Sequence, residues 1–394
     1  MAGTLDGLIV IDLTQNLAGP YATMILADLG ARVIKIERPG VGDDTRRIGP
    51  FLNGESGPFL AVNRNKESLS LDLKAGAGRQ IVLDLARRGD VLIENMRAGT
   101  ARDLGLDYET LKEINPALIY CSVSGFGQTG PYRERGGYDL IAQGMAGILA
   151  STGDAEAWPA KVSIPICDIG AAMWATQGIL AAYVNRLKTG KGQFVETSLL
   201  ESGVAWGIWE AVSYWLTGEV PRRTGSAHRL AAPCQAFATA TDHIIVCVGN
   251  EKLYRDFARV LGKPELIEDP RFLSPAQRIA NVRALAAEIE SALRTRPATE
   301  WLAEINALGI PCGPVYTHDQ VYDDPQVRHR EMVHLVDHPR AGQYRALATA
   351  LKFSDTPPAI RSPAPLLGQH TDQILGWLGY DAGQIAQLRA DRVI

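Results

Sequence analysis

Short β-branched runs alternate with longer apolar segments along the first half of this chain. Residues 8–12 (LIVID) and 32–36 (RVIKI) predict buried parallel strands, and the apolar segment 18–29 between them predicts a helix. Further strands are predicted at 91–94, 117–123 and 193–197, and further helices at 77–88 and 138–150. These repeated strand–helix–strand units predict an α/β fold with a parallel sheet, in which the loops at the carboxyl ends of the strands carry the function.

The second half of the chain has a different pattern. A helix predicted at 199–216 carries Trp206, Trp209 and Trp215, which are typical of a core or a subunit interface. Beyond a polar segment, antiparallel strands at 234–239 and 243–249 and helices near 251–261, 276–293 and 299–307 predict a second domain. The chain therefore divides into a large domain (1–200), a linker helix (201–224), a smaller α+β domain (225–325) and a return to the large domain (326–394).

The segment from residue 165 to residue 192 is apolar on almost every side and predicts a buried helix. Lys188, Gly190 and Lys191 suit its carboxyl end. Asp168 stands at its start, and no other acid follows within the segment. Two interpretations of Asp168 remain open: it is an N-cap of the helix, or it is a carboxylate nucleophile that backbone N–H groups keep ionised.

Composition excludes several classes of partner. The chain has 394 residues, 21% of them charged, and a net charge of −4, which argues against nucleic acid or an anionic membrane as the main partner. Asp6 and Asp12 lie near the start without a cationic segment, so no secretory signal is expected. The most apolar run, 169–184, is too short to span a membrane. Five cysteines without CxxC spacing predict reduced thiols and a cytoplasmic location.

The motifs of common cofactors are missing from the sequence. The loop 14–20 (TQNLAGP) lacks GxGxxG, so neither NAD nor a flavin is expected, and the seven histidines show no metal-binding spacing, so no metal is expected. Cations in the predicted strand-end loops are either solvated surface charges or ligands for an anion; they are Arg38, Arg46, Arg47, Arg97 and Arg102. With Asp168 they suit a phosphate-rich thioester carrier, although their spacing alone does not name it.

Ordered motifs give this chain a resemblance to a known family. They are LAGPYATMILADLGARVIKIERPGVGD at 17–43, NRNKESLSLDLK at 63–74, VLIENMRAG at 91–99, GFGQTGPYRERGGYDLIAQG at 125–144, the Asp168 helix ending in TGKGQ, and GIPCGPV at 309–315. The sequence resembles the class III CoA-transferases (CaiB/BaiF), which include formyl-CoA and carnitine CoA-transferases. GDDTR at 42–46 and GSAH at 225–228 resemble the succinyl-CoA:glutarate branch.

This resemblance implies a Rossmann-like large domain, a smaller domain and an interlocked homodimer. It implies that Asp168 is the nucleophile, which passes through aspartyl anhydride and aspartyl-CoA thioester intermediates while CoA moves from an acyl-CoA donor to a carboxylate acceptor. Coenzyme A then enters as a substrate. The positions that match the family's CoA contacts are Asn16, Leu17, Arg38, Leu71, Asp72, Leu73, Lys74, Asn95, Met96, Arg97, Arg102, Arg135, Tyr138 and Asp139.

Some positions depart from the family pattern. Many relatives carry a basic residue where this chain has Asp103, with Arg102 one place earlier. The stretch GSAHRLAAPCQ lacks the glycine run of formyl-CoA transferases, which argues against oxalate as acceptor. Related α-methylacyl-CoA racemases need a histidine where this chain has Tyr138, so racemisation is the weaker alternative. A carnitine- or formyl-type transferase and a non-catalytic CoA-binding protein remain as further alternatives.

The acceptor is predicted to be a small dicarboxylate, with succinyl-CoA as donor. This follows from the branch resemblance and from surplus cations in two loops. Arg46, Arg47 and His228 are predicted to bind the distal carboxylate of the acceptor, the alternative for each being a solvated loop charge.

Overall fold

The structure is a computed structural model that describes residues 3–394. The strands are β1 (Ile9–Asp12), β2 (Arg32–Glu37), β3 (Phe51–Leu52), β4 (Glu55–Ser56), β5 (Lys66–Ser70), β6 (Val91–Glu94), β7 (Ile119–Ser124), β8 (Phe194–Ser198), β9 (Cys234–Ala238), β10 (His243–Cys247), β11 (Cys312–Pro314), β12 (Val333–His338) and β13 (Gly342–Leu347).

The α-helices are α1 (Ala18–Asp28), α2 (Gly57–Val62), α3 (Gly76–Arg88), α4 (Thr100–Asp103), α5 (Tyr108–Ile114), α6 (Asp139–Met145), α7 (Ile148–Ser151), α8 (Ile166–Thr189), α9 (Leu199–Trp206), α10 (Ile208–Thr217), α11 (Glu251–Val260), α12 (Pro275–Ala280), α13 (Val282–Leu293), α14 (Ala298–Ala307), α15 (His318–Val321), α16 (Pro325–His329), α17 (Thr371–Leu378) and α18 (Ala382–Ala390). Short 3₁₀ helices lie at Asp44–Arg47 and Pro264–Ile267.

A six-stranded parallel sheet forms the centre of the large unit, in the order β5-β2-β1-β6-β7-β8. The strand order reverses between β1 and β6, and ligands of open α/β sheets bind beside such a reversal, outside the carboxyl ends of the strands. The α/β class and the parallel sheet confirm the sequence prediction. Strand β5 was not predicted, because its sequence KESLS mixes polar and apolar residues.

Helices cover both faces of this sheet, and alternate side chains of β1 show the two layers. Val10 packs in the core that includes α1 and α8, whereas Ile11 packs in the core that includes α3, α5, α17 and α18. Both side chains are fully buried. This burial on two faces is the physical reason for the continuous apolar run that predicted the strand.

The chain divides into two compact units. One contains residues up to 148, 162–212 and 328–394, and the other contains 149–161 and 213–327. The second unit packs the antiparallel sheet β11-β10-β9 against its helices, with Phe237, Phe257 and Trp301 in the core. No single helix spans the predicted linker 201–224, since α9 ends before Gly207 and α10 ends at Thr217.

Two cysteines of the second unit correct a sequence expectation. Cys234 and Cys247 are paired across β9 and β10 and form a disulfide, so the prediction that every thiol is reduced is wrong for this pair. Cys121, Cys167 and Cys312 are free. No local motif predicts the disulfide, because the two cysteines are 13 positions apart and meet only through the register of the β9–β10 hairpin.

The C-terminal segment is fastened along the edge strand β5. His370 Nδ1 accepts a hydrogen bond from the Ser68 N–H, and Thr371 Oγ1 accepts one from the Ser70 N–H, each at 3.1 Å. Just before β5, Asn65 Oδ1 accepts hydrogen bonds from the N–H groups of Arg361 and Ser362. These contacts cover an edge whose N–H groups would otherwise face solvent.

Candidate active site

The loops that follow β1 and β6 meet where the strand order reverses. The Asn95 side chain accepts a hydrogen bond from the Gln15 N–H at 2.9 Å and donates one to the Gln15 carbonyl at 2.7 Å. The next residue, Asn16, has a φ of 67°, a conformation that asparagine tolerates better than most side chains. Leu17 follows immediately before α1. Three of the predicted CoA contacts are therefore held together by backbone-directed hydrogen bonds.

Exposed cations follow four strands at this same carboxyl edge, two on each side of β1. Their side chains come after β2, β5, β6 and β7; they are Arg38, Lys74, Arg97, Arg102 and Arg135. Arg38 pairs with Asp44, and Arg135 stacks on Tyr132. Across residues 3–394, no carboxylate lies within ion-pair distance of Lys74, Arg97 or Arg102. Such a cluster of available positive charge suits a ligand with several phosphates.

The residues that precede Lys74 differ from it in exposure. Leu71 is fully buried, and Leu73 is partly buried and packs against the core, so neither side chain is fully exposed to a ligand. Asp72 accepts a hydrogen bond from the Lys74 N–H at 2.9 Å. Within the matched segment 71–74, Lys74 alone presents an exposed charged side chain, and the other three shape the loop.

Beneath the exposed cations lies a buried network of ion pairs. Lys66 Nζ lies 3.1 Å from Asp12 Oδ2, and Lys35 Nζ lies 2.8 Å from Asp43 Oδ2, all four side chains being fully inaccessible. Burial alone raises the pKa of Asp12, but Lys66, Lys35 and two threonine hydroxyls outweigh it and hold the pKa below its usual value. Burial lowers the pKa of Lys66 to about 8. The sequence analysis missed this network, because its members are spread over three strands and one loop.

Arg46 lies beside this network and is bound to Glu37, which also accepts a hydrogen bond from the Asp43 N–H. This side chain donates to both carboxylate oxygens of Glu37, at 2.7 and 2.8 Å, and stacks on the Phe59 ring. The expectation that Arg46 is a surplus cation is therefore wrong, since its guanidinium has a structural partner. Arg47 is 65% exposed and lies 3.5 Å from Asp44, so it is available to solvent. In the second unit, His228 is exposed, and its Nδ1 accepts a hydrogen bond from the Leu230 N–H.

Asp168 occupies the first turn of α8. Helix α8 connects the parallel strands β7 and β8, so its first turn lies at the carboxyl edge, on the side of the exposed cations. The helix begins at Ile166 with Pro165 as its N-cap residue. Asp168 is therefore the third helical residue, and the interpretation of Asp168 as the N-cap is wrong.

A second acid takes the backbone donors at the start of α8. Asp139 Oδ1 accepts hydrogen bonds from the N–H groups of Cys167 and Asp168, at 2.8 and 3.3 Å. Burial, and then the negative charge of Asp139, raise the pKa of Asp168 to about 7. The expectation that backbone N–H groups keep Asp168 fully ionised is corrected by this arrangement. Asp168 is instead a carboxyl group that changes charge near neutral pH.

Gln143 fixes Asp139 from one helical turn away. Its Nε2 donates to Asp139 Oδ2 at 2.6 Å, and its Oε1 accepts from the Val162 N–H at 3.0 Å. Gln143 is fully buried, so both hydrogen bonds are shielded from water. It thus ties α6 to the segment that enters α8. Sequence reasoning missed Gln143, although its position one turn after Asp139 on a predicted helix was the available signal.

Glycines bring the loop after β7 back onto its own start. A Cβ atom at Gly125 would lie 2.7 Å from Gly137 Cα, and one at Gly137 would lie 2.6 Å from Gly125 Cα. No real Cβ tolerates this approach. The two glycines therefore close the loop that carries Arg135 and place Tyr138 and Asp139 at the start of α6. Tyr138 is 72% exposed, so its ring is accessible from solvent.

Neither a metal cluster nor a membrane-spanning helix is found among residues 3–394. No group of three or more histidine, cysteine, aspartate or glutamate side chains is arranged to hold a metal ion. None of the helices in this part of the chain combines the length and the apolar character that crossing a membrane requires.

A carboxyl group of raised pKa at a helix start and a row of exposed cations lie at the carboxyl edge of a parallel sheet, beside its switch point. This arrangement suits an anionic ligand. The model of CoA-transferase family III matches residues 5–371. The succinyl-CoA:glutarate CoA-transferase of Mus musculus is 39% identical over 392 residues, which cover 99% of this chain and 90% of that protein. The acetyl-CoA:oxalate CoA-transferase of Acetobacter aceti is 43% identical over 333 residues, covering 84% of this chain and 85% of that protein.

Solved structures agree with these relatives. A CaiB/BaiF family protein from Brucella suis superimposes with a TM-score of 0.86 at 38% identity, covering 96% of this chain and all of that one. The chain belongs to CoA-transferase family III and is an enzyme that transfers CoA. The resemblance inferred from the sequence motifs is confirmed.

Proposed function

We propose that this enzyme moves CoA from a donor such as succinyl-CoA to a small dicarboxylate, with Asp168 as the nucleophile. One observation carries the proposal: Asp168 is a carboxyl group of raised pKa in the first turn of α8, at the same sheet edge as the exposed cations. The cations suit the phosphates of CoA, and the carboxyl suits attack on its thioester.

Four exchanges at Asp168 complete the transfer. A carboxylate oxygen of Asp168 attacks the donor thioester carbon, forms a mixed anhydride and releases the CoA thiolate. The thiolate then attacks the aspartyl carbonyl, giving an aspartyl-CoA thioester and the free donor acid. The acceptor carboxylate attacks this thioester and forms a second anhydride, and the released thiolate takes the acceptor acyl group while Asp168 regains its carboxylate. Each step exchanges one acyl bond for another, so no net proton is needed.

The environment of Asp168 suits both demands of this chemistry. Its pKa of about 7 leaves a substantial ionised fraction at neutral pH, and ionisation is required for the first attack. The neighbouring Cys167 is fully buried, and Asp168 itself is partly buried. Shielding of this kind protects an anhydride and a thioester from hydrolysis.

The acceptor is inferred from one exposed cation and from the relatives. Arg47 is the proposed ligand of the distal carboxylate, and a role for His228, in the second unit, stays a prediction from the sequence. Arg46, bound to Glu37, orders the loop instead. The mouse relative is named for glutarate and the Acetobacter aceti relative for oxalate. Because one relative is named for oxalate, an assay has to include oxalate as an acceptor, although the missing glycine run argued against it.

Homodimer formation and a cytoplasmic location are parts of the same proposal. Helix α10 exposes large apolar side chains along its length, among them Ile208, Trp209 and Trp215, which are 65%, 64% and 74% exposed. Contiguous apolar surface of this kind is typical of a protein interface. A second copy of the chain is the proposed partner, in keeping with the interlocked homodimer that the resemblance implied.

The test is an assay of CoA transfer from succinyl-CoA to glutarate, mesaconate, citramalate, itaconate, oxalate and carnitine. We expect transfer to a dicarboxylate in the wild type and none in Asp168→Ala. Intact-mass measurement after incubation with the donor should show an adduct that hydroxylamine removes, and Asp168→Ala should show none. Asp372→Ala is the matched control, because Asp372 pairs with Arg389 on exposed surface.

Transfer that survives in Asp168→Ala would overturn the assignment of the nucleophile. Exchange of an α-proton of a methyl-branched acyl-CoA for deuterium, without transfer, would favour the racemase alternative. Binding of CoA without either reaction would favour the non-catalytic alternative.

A further inference from the structure

Glu94 is a buried carboxylate that the proposed mechanism does not use. It is the last residue of β6 and is 2% exposed. Its Oε2 accepts a hydrogen bond from the Met96 N–H at 2.6 Å. A carboxylate is costly to bury, so its retention at the carboxyl edge of the sheet calls for a set of compensating partners.

A second polar contact joins Glu94 to the neighbouring strand. Ser122 lies directly opposite Glu94 in the register of β6 and β7, and its hydroxyl opposes the rise that burial causes in the pKa of Glu94. The Ser122 oxygen accepts a hydrogen bond from Gln128 Nε2 at 2.8 Å, so the Ser122 hydroxyl is the donor to Glu94. Gln128 belongs to the glycine-closed loop that carries Arg135. Glu94 therefore contacts the loop after β6 directly and the loop after β7 through Ser122.

The adjacent Asn95 extends these connections to a third loop. Its side chain holds the Gln15 backbone, which leads into Asn16 and Leu17. Glu94 and Asn95, at the end of β6, thus connect the loops after β1, β6 and β7. Each of these loops carries residues that match CoA contacts in the family. Glu94 lies beneath them and is too buried to touch the ligand itself.

We propose that Glu94 is a positioning residue for CoA: through Met96 and through Ser122–Gln128, it aligns the loops after β6 and β7 so that Arg97 and Arg135 bind one ligand together. The inference rests on the proposed function, because it takes CoA as the ligand. It predicts that loss of either hydrogen bond weakens CoA binding more than it slows the chemical step, since Asp168 belongs to a different element.

Titration of CoA into the protein by calorimetry tests this inference, with thermal unfolding and transfer kinetics measured in parallel. Glu94→Gln preserves the shape but replaces one of the two acceptor oxygens by an NH2 donor, and we expect CoA to bind about tenfold more weakly. Ser122→Ala removes the connection to Gln128 alone and should weaken binding about threefold. The KM for the acyl-CoA should rise in proportion, with kcat changed much less.

A double-mutant cycle separates alignment from general destabilisation. Glu94→Gln combined with Ser122→Ala should weaken CoA binding by less than the product of the single effects, because both changes break the same connection. Glu67→Gln is the matched control: this carboxylate lies on β5 of the same sheet, pairs with Arg32 and contacts none of the three loops. It should leave the Kd for CoA unchanged.

The measurements distinguish failure of the positioning role of Glu94 from failure of the proposed transferase function. Unchanged Kd values in Glu94→Gln and Ser122→Ala, with lower unfolding temperatures, would overturn the positioning role and leave the transferase standing. Absence of CoA binding and of transfer in the wild type would overturn both. If Glu94→Gln does not fold, Ser122→Ala and Gln128→Leu decide: weaker CoA binding supports the inference, and unchanged binding refutes it.

Discussion

Asp12 and Asp168 are two shielded carboxylates of the large unit with opposite electrostatic surroundings. Asp12 lies among Lys66, Lys35 and two threonine hydroxyls, which hold its pKa below the usual value despite complete burial. Asp168 has no cation within ion-pair distance in the described chain, and the negative charge of Asp139 adds to the rise in its pKa. Burial therefore raises the pKa of Asp168 to about 7 without opposition.

The difference shows how one fold assigns two tasks to the same chemical group. A carboxylate with complete partners contributes to the framework and is not available for reaction. The backbone N–H groups of Cys167 and Asp168 donate to Asp139, so they are not bonded to the Asp168 carboxylate. The Asp168 oxygens therefore remain available to a substrate. The large unit keeps the two apart: the paired carboxylate ends β1, and the available one stands in the first turn of α8.

The largest effect is expected from breaking the paired region. Asp12→Asn leaves Lys66 without its ion-pair partner and removes one of the negative charges near Lys35, so it should lower the free energy of unfolding by about 3–5 kcal/mol. Urea denaturation measures the loss. Asp372→Asn, in an exposed ion pair, should change it by less than about 1 kcal/mol. Equal effects of the two changes would contradict the assigned role of the network.

Replacing Asp168 should have the opposite effect on stability from replacing Asp12. Because the folded pKa of Asp168 lies above the value of the unfolded chain, its contribution to stability is full below about pH 4 and is lost as the pH rises through about 7. Asp168→Asn should therefore stabilise the protein by on the order of 3 kcal/mol above pH 8. At pH 4.5 the difference should fall to about 1 kcal/mol or less, because the unfolded carboxyl is still partly protonated there. A difference independent of pH would refute the raised pKa.

The charge of Asp139 offers a way to sharpen the comparison. In the wild type, kcat/KM for the acyl-CoA donor should rise with pH to a midpoint near 7, as Asp168 ionises. Asp139→Asn removes the neighbouring charge and should move this midpoint down by about one pH unit. The midpoint should not reach the value of a free carboxyl, since burial is the larger cause. An unmoved midpoint would mean that Asp139 acts only through its hydrogen bonds.

The smallest effect is expected at the exposed cations. Arg97→Ala should raise the KM for the acyl-CoA about three- to tenfold, because a phosphate contact at the surface contributes roughly 1 kcal/mol. The wild-type KM should rise with ionic strength more steeply than that of the variant. Arg389→Ala, on the exposed surface of α18, is the control and should leave KM unchanged. A similar rise in both variants would indicate a non-specific effect of charge.

The sequence predicted the elements that one local pattern determines. Strands β1, β2 and β6 followed from apolar runs, and Asp168 stood out as the acid before an apolar helix. The pKa of Asp168 could not be predicted, because it depends on Asp139, 29 positions away. Lys66 and Asp43 were missed for the same reason: a buried charge is recognised by its partner, and the partner lies on another strand. Each of the predicted helices 138–150 and 199–216 is two helices in the structure, with Gly147 and Gly207 at the breaks.

Fastening β5 with the C-terminal segment has a consequence for synthesis. The Ser68 N–H finds its acceptor in His370, which is 302 positions away, so the ribosome has to add the whole intervening chain before the edge strand is covered. At about 5–20 residues per second, this interval lasts roughly 15–60 seconds. During that time all of residues 213–327 are synthesised, whereas edge strand β5 of the parallel sheet, which was synthesised earlier, still lacks its C-terminal partner. The nascent large unit is therefore most exposed to aggregation before its last residues emerge.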